Sequence, residues 1–266
     1  MPNPTILDPM NTIHGLYRSY QNNSTKPSVV VQGYLDEIER LNPRLGAYQN
    51  TWADTALEMA AAADKALAAG FAAGPFYGIP YALKDIFHVK GKVTTCGSAA
   101  MLDNIASTNS TVVQRLKAAG GIILGKTKTV ECAFGGWGTN QKMGTPMNPW
   151  DLETHRIPGG SSSGTAVAVA SGMAPCGMGS DTGGSIRLPA AYCGLVGLKV
   201  TAGRLPLHGI MPLSQSLDTP GPIAQTVLDC LIMFDVLDGR EGWKIAQDMD
   251  NGDGLYAVLN LSLIHI

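Results

Sequence analysis

The 266-residue chain is long enough for one large domain or two small ones, with a sizeable buried core. Hydrophobic residues make up 45% and charged residues only 15%, a balance that excludes intrinsic disorder. A formal net charge of −2, with no basic run, gives no general attraction to nucleic acid or to an anionic membrane. No apolar stretch reaches the roughly 18 residues that a bilayer span needs, and the N-terminus lacks the charged start and apolar run of a secretory signal. Five cysteines, Cys96, Cys132, Cys176, Cys193 and Cys230, are odd in number and far apart, with no CxxC pair. They argue against a disulfide framework and for a reduced, cytoplasmic setting. The histidines are equally scattered, and the acidic stretch 248–254 fails as a calcium loop because Gly252 stands where an oxygen ligand belongs. Neither a metal nor an organic cofactor is expected.

In chain order, Val31, Tyr34, Leu35, Ile38 and Leu41 fall on one helical face, predicting a helix over 28–41 with Pro27 near its start and Asn42-Pro43 as its stop. An alanine-rich helix follows over about 54–69, with Leu57 and Leu67 inward and Gly70 ending it. Gly78 to Asp85 reads as a short buried strand that closes on the charged pair Lys84-Asp85. A helix from Ser110 to Ala119, a stop at Gly120-Gly121 and a strand beginning at Ile122 suggest a helix packed on a sheet. Residues 158–204 are dense in Gly, Ser and Ala, yet they alternate with Ala/Val runs as no flexible linker does. They read as turn, small-residue helix, strand, Gly-rich turn and helix. Residues 225–238 form another amphipathic helix, and 241–266 has no assignable role.

Glycine is the compositional outlier, at 32 residues, or about 12% against a usual 7% or so. In the run Asp181-Thr-Gly-Gly-Ser185, two consecutive glycines leave peptide N–H groups sterically open, and Ser185 would begin the next helix. Such N–H groups can hold a developing oxyanion, with Ser185 as nucleophile. An ordinary serine N-cap is the commoner explanation of the same pattern. A serine nucleophile needs a base, and no histidine lies within residues 158–204. Lysine serves only if burial lowers its pKa by several units. Lys84 qualifies by following the apolar strand Ile-Pro-Tyr-Ala-Leu, although most lysines are solvated surface residues.

The ordered runs Gly159-Gly-Ser-Ser-Ser-Gly164, Gly179-Ser-Asp-Thr-Gly-Gly-Ser-Ile-Arg187, Pro189-Ala and Cys193-Gly-Leu-Val-Gly-Leu-Lys199 resemble the amidase signature family. Upstream, Gly78-Ile-Pro and Leu83-Lys-Asp85 resemble the segment that holds that family's catalytic lysine, and the likeness extends from about residue 10 to 235. Ser163 departs from it, standing where the commonest pattern has Gly. The resemblance implies an α/β fold, a mixed sheet covered by helices, with residues 1–240 the N-terminal and central part of a single amidase domain that is incomplete at the C-terminus. It implies a Ser–Ser–Lys triad: Ser185 as nucleophile, Ser161 as bridging serine after a cis peptide bond, and Lys84 as base acting through Ser161. The N–H groups of Thr182, Gly183, Gly184 and Ser185 would form the oxyanion hole, with the two hydroxyls in hydrogen-bonding contact. Asp181 and Arg187 would hold the loop in shape.

The expected activity is hydrolysis of small-molecule carboxylic amides through an acyl-enzyme, with self-association open. The alternatives are an inactive fragment and the A subunit of a tRNA-dependent amidotransferase, which works with partner subunits. In that relative Gln follows the Ser-Ile-Arg triplet, where this chain has Leu188.

Overall fold

The computed structural model describes residues 11–71 and 74–239. The unassigned stretch 241–266 and the rejected calcium loop lie outside them. Seven α-helices of the described residues cover one six-stranded mixed sheet. The helices are α1 (Ile13–Gln21), α2 (Pro27–Leu45), α3 (Ala53–Ala68), α4 (Thr111–Ala118), α5 (Ser163–Ala170), α6 (Arg187–Cys193) and α7 (Val227–Leu237). The strands are β1 (Tyr48–Thr51), β2 (Pro80–Lys84), β3 (Ile122–Thr127), β4 (Cys176–Asp181), β5 (Val196–Gly197) and β6 (Thr219–Ala224). Their order in the sheet is β1-β3-β2-β4-β6-β5. The central strand β2 runs parallel to β3 and β4, while β1, β5 and β6 pair antiparallel.

Every residue of β2, β3, β4 and β6 is buried, as strands covered on both faces must be. β2 places Leu83 against Met178 of β4 and Lys84 against Thr127 of β3. The carboxyl ends of three parallel strands therefore open at one edge, where ligand sites of α/β sheets form. α5 lies over this edge. It is built of small residues and buried from Ser163 to Val169, so its backbone comes close to the strands. Thr165 on α5 shares a 2.7 Å hydroxyl contact with Thr127.

Several local expectations need correction. α2 continues past Asn42-Pro43 to Leu45. Pro43 has no N–H to give the ladder, but Asn42 Oδ1 accepts from Tyr48 N–H (2.7 Å), Gly46 caps the helix in the left-handed region, and Leu45 is buried. α3 turns Ala56, Ala60 and Ala63 inward, leaving Leu57 and Leu67 half-buried at its margins. α7 is not amphipathic. Cys230, Ile232, Met233, Val236 and Leu237 are buried around it together with Asp229 and Asp235. Burial pushes the Asp229 carboxyl up to about 6.

Candidate active site

The loops and strand ends at the sheet edge bring Lys84 and Ser161 into buried contact and set Ser185, also buried, beside the residue that follows Ser161. Lys84 is the last residue of β2 and is 0% exposed. Its Nζ lies 2.7 Å from Ser161 Oγ, although 77 residues separate them in the chain. Burial lowers the Lys84 pKa from 10.5 to about 7, while Cys96, Asp181 and Asp218 pull the other way more weakly. No carboxylate pairs with Lys84 among the described residues; the carboxylate of adjacent Asp85 is engaged elsewhere. Asp85 Oδ1 meets Lys126 Nζ at 2.8 Å in a fully buried ion pair, and Oδ2 accepts from Thr95 N–H and Oγ1.

Ser161 sits just before α5, and the Gly160–Ser161 peptide is cis. Its carbonyl accepts from Thr129 Oγ1 (2.9 Å) and Val130 N–H (3.3 Å), and the preceding Gly160 N–H donates to Gly136 O (2.8 Å). Gly160 is required by close approach: a Cβ there would stand 2.6 Å from Gly138 N and 2.7 Å from Gly135 O. The loop Phe134–Gly138 thus clamps the turn that aims Ser161 at Lys84.

Asp181 ends β4 and organises the loop before Ser185. Its buried carboxylate accepts from the N–H groups of Gly184 (2.8 Å), Ile186 (3.1 Å) and Arg187 (3.3 Å), and from Arg187 Nε (3.0 Å) and Nη2 (2.9 Å). Burial pushes the Asp181 carboxyl up, but these hydrogen bonds outweigh it and hold the pKa below the ordinary value. At the loop's other side, Thr182 Oγ1 donates to Asp218, which also accepts from the N–H groups of Leu213 and Ser214.

The donor nest is smaller than expected. The Gly184 N–H is taken up by Asp181, because the carboxylate folds the turn onto itself. The N–H groups of Thr182, Gly183 and Ser185 donate to no described protein acceptor, and a Cβ at Gly183 would meet open space. The expected contact between hydroxyls also differs: among the described residues no hydrogen bond joins Ser161 Oγ to Ser185 Oγ. The two segments are joined instead through Ser162 N–H, which donates to Ser185 O at 3.2 Å.

Ser180 is the neighbour that sequence reasoning missed. Its Oγ lies 2.8 Å from Lys84 Nζ, giving the lysine a second hydroxyl. The run Gly179-Ser-Asp is visible in the sequence, but only the β2–β4 register makes Ser180 a neighbour of Lys84. Around the loop, Leu188 is 39% exposed and packs near Gly184 and Gly136. A recess lined by Ile86, Ala133, Ile210 and Met211 opens beside Ser180 and Thr182. Among the described residues no group of three or more His, Cys, Asp or Glu side chains is placed to hold a metal.

The chain is 45% identical over 210 residues to the A subunit of glutamyl-tRNA(Gln) amidotransferase from Chromohalobacter salexigens, covering 79% of this chain and 43% of that protein. It is 43% identical over 253 residues to the protein of the same name from Coxiella burnetii, covering 95% and 52%. Among solved structures, the native peptide amidase of Stenotrophomonas maltophilia superposes with a TM-score of 0.80 at 36% identity, covering 86% of this chain and 48% of that one. The glutamyl-tRNA(Gln) amidotransferase A subunit of Thermotoga maritima gives 0.68 at 35% identity, covering 79% and 43%. The chain thus spans about half the length of the curated relatives it matches. A family model described as amidase matches residues 29–255. With that match and the mixed sheet it shares with amidase structures, this chain belongs to the amidase family.

Proposed function

We propose that this chain carries the reacting groups of an amide hydrolase, with Lys84 as base, Ser161 as relay and Ser185 as nucleophile, within one amidase domain that includes residues 1–240. One observation carries the reading: a fully buried lysine, paired with no carboxylate among the described residues, 2.7 Å from the hydroxyl of Ser161. With a pKa near 7, a large fraction of Lys84 is a neutral amine at neutral pH. A neutral amine can donate one hydrogen to Ser180 and turn its lone pair toward Ser161.

The chemistry then runs by proton relay. Lys84 takes the Ser161 proton while Ser161 takes that of Ser185, whose oxygen attacks the amide carbonyl. The C–N bond breaks as the relay returns a proton to the leaving amine. Water, deprotonated by the same route, cleaves the acyl ester, releasing the carboxylate and restoring Ser185. The hydrogen bond between the two hydroxyls forms when substrate binds, since catalytic hydrogen bonds are commonly long or misaligned without it. Thr182, Gly183 and Ser185 supply the N–H groups for the oxyanion, each such donor being worth about 3 kcal/mol in related sites. Asp181 and Arg187 keep the loop in shape, and Asp181 consumes the Gly184 N–H in doing so.

The preferred substrate is a small carboxylic amide hydrolysed by the protein alone. Leu188 supports this, since it presents an apolar side chain beside the Gly184 turn where the amidotransferase pattern has a polar one. The second reading, an amidotransferase component that works with partner proteins, is favoured by the names of the curated relatives. Release of ammonia from a panel of primary amides, with Ser185→Ala as control, tests the proposal. Turnover of simple amides without other proteins supports a hydrolase. Turnover of glutamine only when a copurified partner is present supports the amidotransferase component, and release unchanged by Ser185→Ala overturns both.

A further inference from the structure

Cys96 and Cys132 take no part in the amide chemistry, yet the fold sets them against each other. Cys132 N–H donates to Cys96 O at 2.8 Å across 36 positions of the chain. Both residues sit in the left-handed region, at φ 53° and 50°, which few residues other than glycine adopt. With ordinary bond lengths, an N–H···O=C bond of 2.8 Å holds the two Cα atoms within about 6.7 Å of each other. That falls inside the span of roughly 4.4–6.8 Å that a disulfide bridges. Their thiols are neighbours: after burial, Cys132 is the strongest influence pushing the Cys96 thiol up to about 12.

The pair differs from the other cysteines. Cys176, Cys193 and Cys230 are buried, and each thiol is directed at a backbone carbonyl, of Pro80, Pro158 and Val196 respectively. Cys132 is exposed and Cys96 is 3% exposed. This combination, an accessible attacking thiol with a sheltered resolving thiol behind it, is what disulfide exchange uses. The pair also touches the machinery on both sides. Cys96 N–H donates to Asp85 O (2.9 Å), directly after Lys84. Cys132 lies in the turn that leads into the loop clamping Gly160.

We propose that Cys96 and Cys132 form a redox dithiol, a modification site for low-molecular-weight disulfides that closes to an intramolecular disulfide beside Lys84. Cys132, as thiolate, attacks one sulfur of a disulfide R–S–S–R, forming Cys132–S–S–R and expelling a thiolate RS⁻. Cys96 then loses its proton to water and attacks the Cys132 sulfur, so that the Cys96–Cys132 bond forms and the second RS⁻ leaves. Two protein thiols are oxidised, one small disulfide is reduced, and the two protons end on the released thiolates. The bond-forming step is independent of the amide-hydrolase reading; only its placement beside a working base rests on that reading.

The test incubates the folded chain with oxidised glutathione, counts thiols and maps peptides by mass spectrometry. The expected result is loss of two of the five thiols, a Cys96–Cys132 linked peptide and no retained glutathione. Cys96→Ser, or Cys96→Ala if the serine variant misfolds, should instead retain one glutathione on Cys132. Five thiols persisting in the wild type, or a stable glutathione adduct on its Cys132, would overturn the proposal. Ser185 labelling by a fluorophosphonate is read on the same samples. A Cys96–Cys132 disulfide without Ser185 labelling in either redox state supports the dithiol and counts against the amide-hydrolase reading.

Discussion

Replacing Lys84 with methionine removes the candidate base while nearly preserving its volume, and the consequence for stability can be worked from the structure. The Lys84 pKa falls from 10.5, its ordinary value, to about 7 on folding, a difference of about 5 kcal/mol between the two charge states. The folded-state value lies below the unfolded one, so the unfolded chain binds more protons between about pH 7 and 10.5. Wild-type stability therefore rises with pH across that window. Below pH 7 the full cost of holding a buried ammonium is present, and above 10.5 it has vanished.

Methionine does not titrate, so the wild type should gain about 2 kcal/mol relative to Lys84→Met between pH 7 and pH 9. At pH 7 the variant escapes a cost of about 4 kcal/mol. It also strands the hydroxyls of Ser161 and Ser180, at about 1–3 kcal/mol each. The pH slope of the difference is therefore the decisive quantity, rather than its value at one pH. Urea unfolding followed by circular dichroism at pH 7, 8 and 9 measures it. Stability curves that run parallel across these pH values would refute the claim that Lys84 is buried with a depressed pKa.

Three further substitutions probe the surroundings. Ser180→Ala removes a hydroxyl that accepts from the charged lysine, so the acid limb of Ser185 reactivity should move to lower pH, at a stability cost near 1 kcal/mol; an unmoved limb would show that Ser180 does not touch the base. Asp181→Asn puts an amide NH₂ among five N–H donors and should cost about 3 kcal/mol in urea unfolding while slowing Ser185 labelling; a neutral effect would remove Asp181 from the loop's support. Lys126→Met leaves the Asp85 carboxylate buried and unpaired and should destabilise by about 3–5 kcal/mol; a loss below about 1 kcal/mol would contradict the dry ion pair.

Much of this arrangement is legible in the chain itself, and the exceptions have physical causes. α2, α4 and β2 announce themselves by helical spacing or an apolar run, and Ser110 caps α4 at the residue where the pattern begins. β6 does not read as a strand because Pro220 and Pro222 disfavour a ladder. The fold accommodates them by facing: Pro222 O accepts from Leu198 N–H, so its side of the backbone turns toward the two-residue β5 and costs β4 no bond. β1, with the sequence Tyr-Gln-Asn-Thr, carries no alternation and is recruited by its pairing with β3. In the site, the Gly/Ser runs and their resemblance locate the reacting residues. Local pattern alone leaves Ser185 an ordinary cap and Lys84 a surface charge. What no reading of the chain supplies is register. Only strand pairing sets Ser180 beside Lys84, sends the Asp85 carboxylate to Lys126, and folds Asp181 back onto the Gly184 N–H.

A neutral, buried Lys84 that activates Ser185 through Ser161 is the central claim. The most direct measurement is the rate of fluorophosphonate labelling as a function of pH, with the labelled peptide mapped. Modification should fall at Ser185, with a rate that rises through about pH 7 before levelling. That rate should drop by about 10²–10⁴-fold in Lys84→Met and disappear in Ser185→Ala. Label on another residue, or a Ser185 rate that is flat with pH and indifferent to Lys84→Met, would contradict the claim.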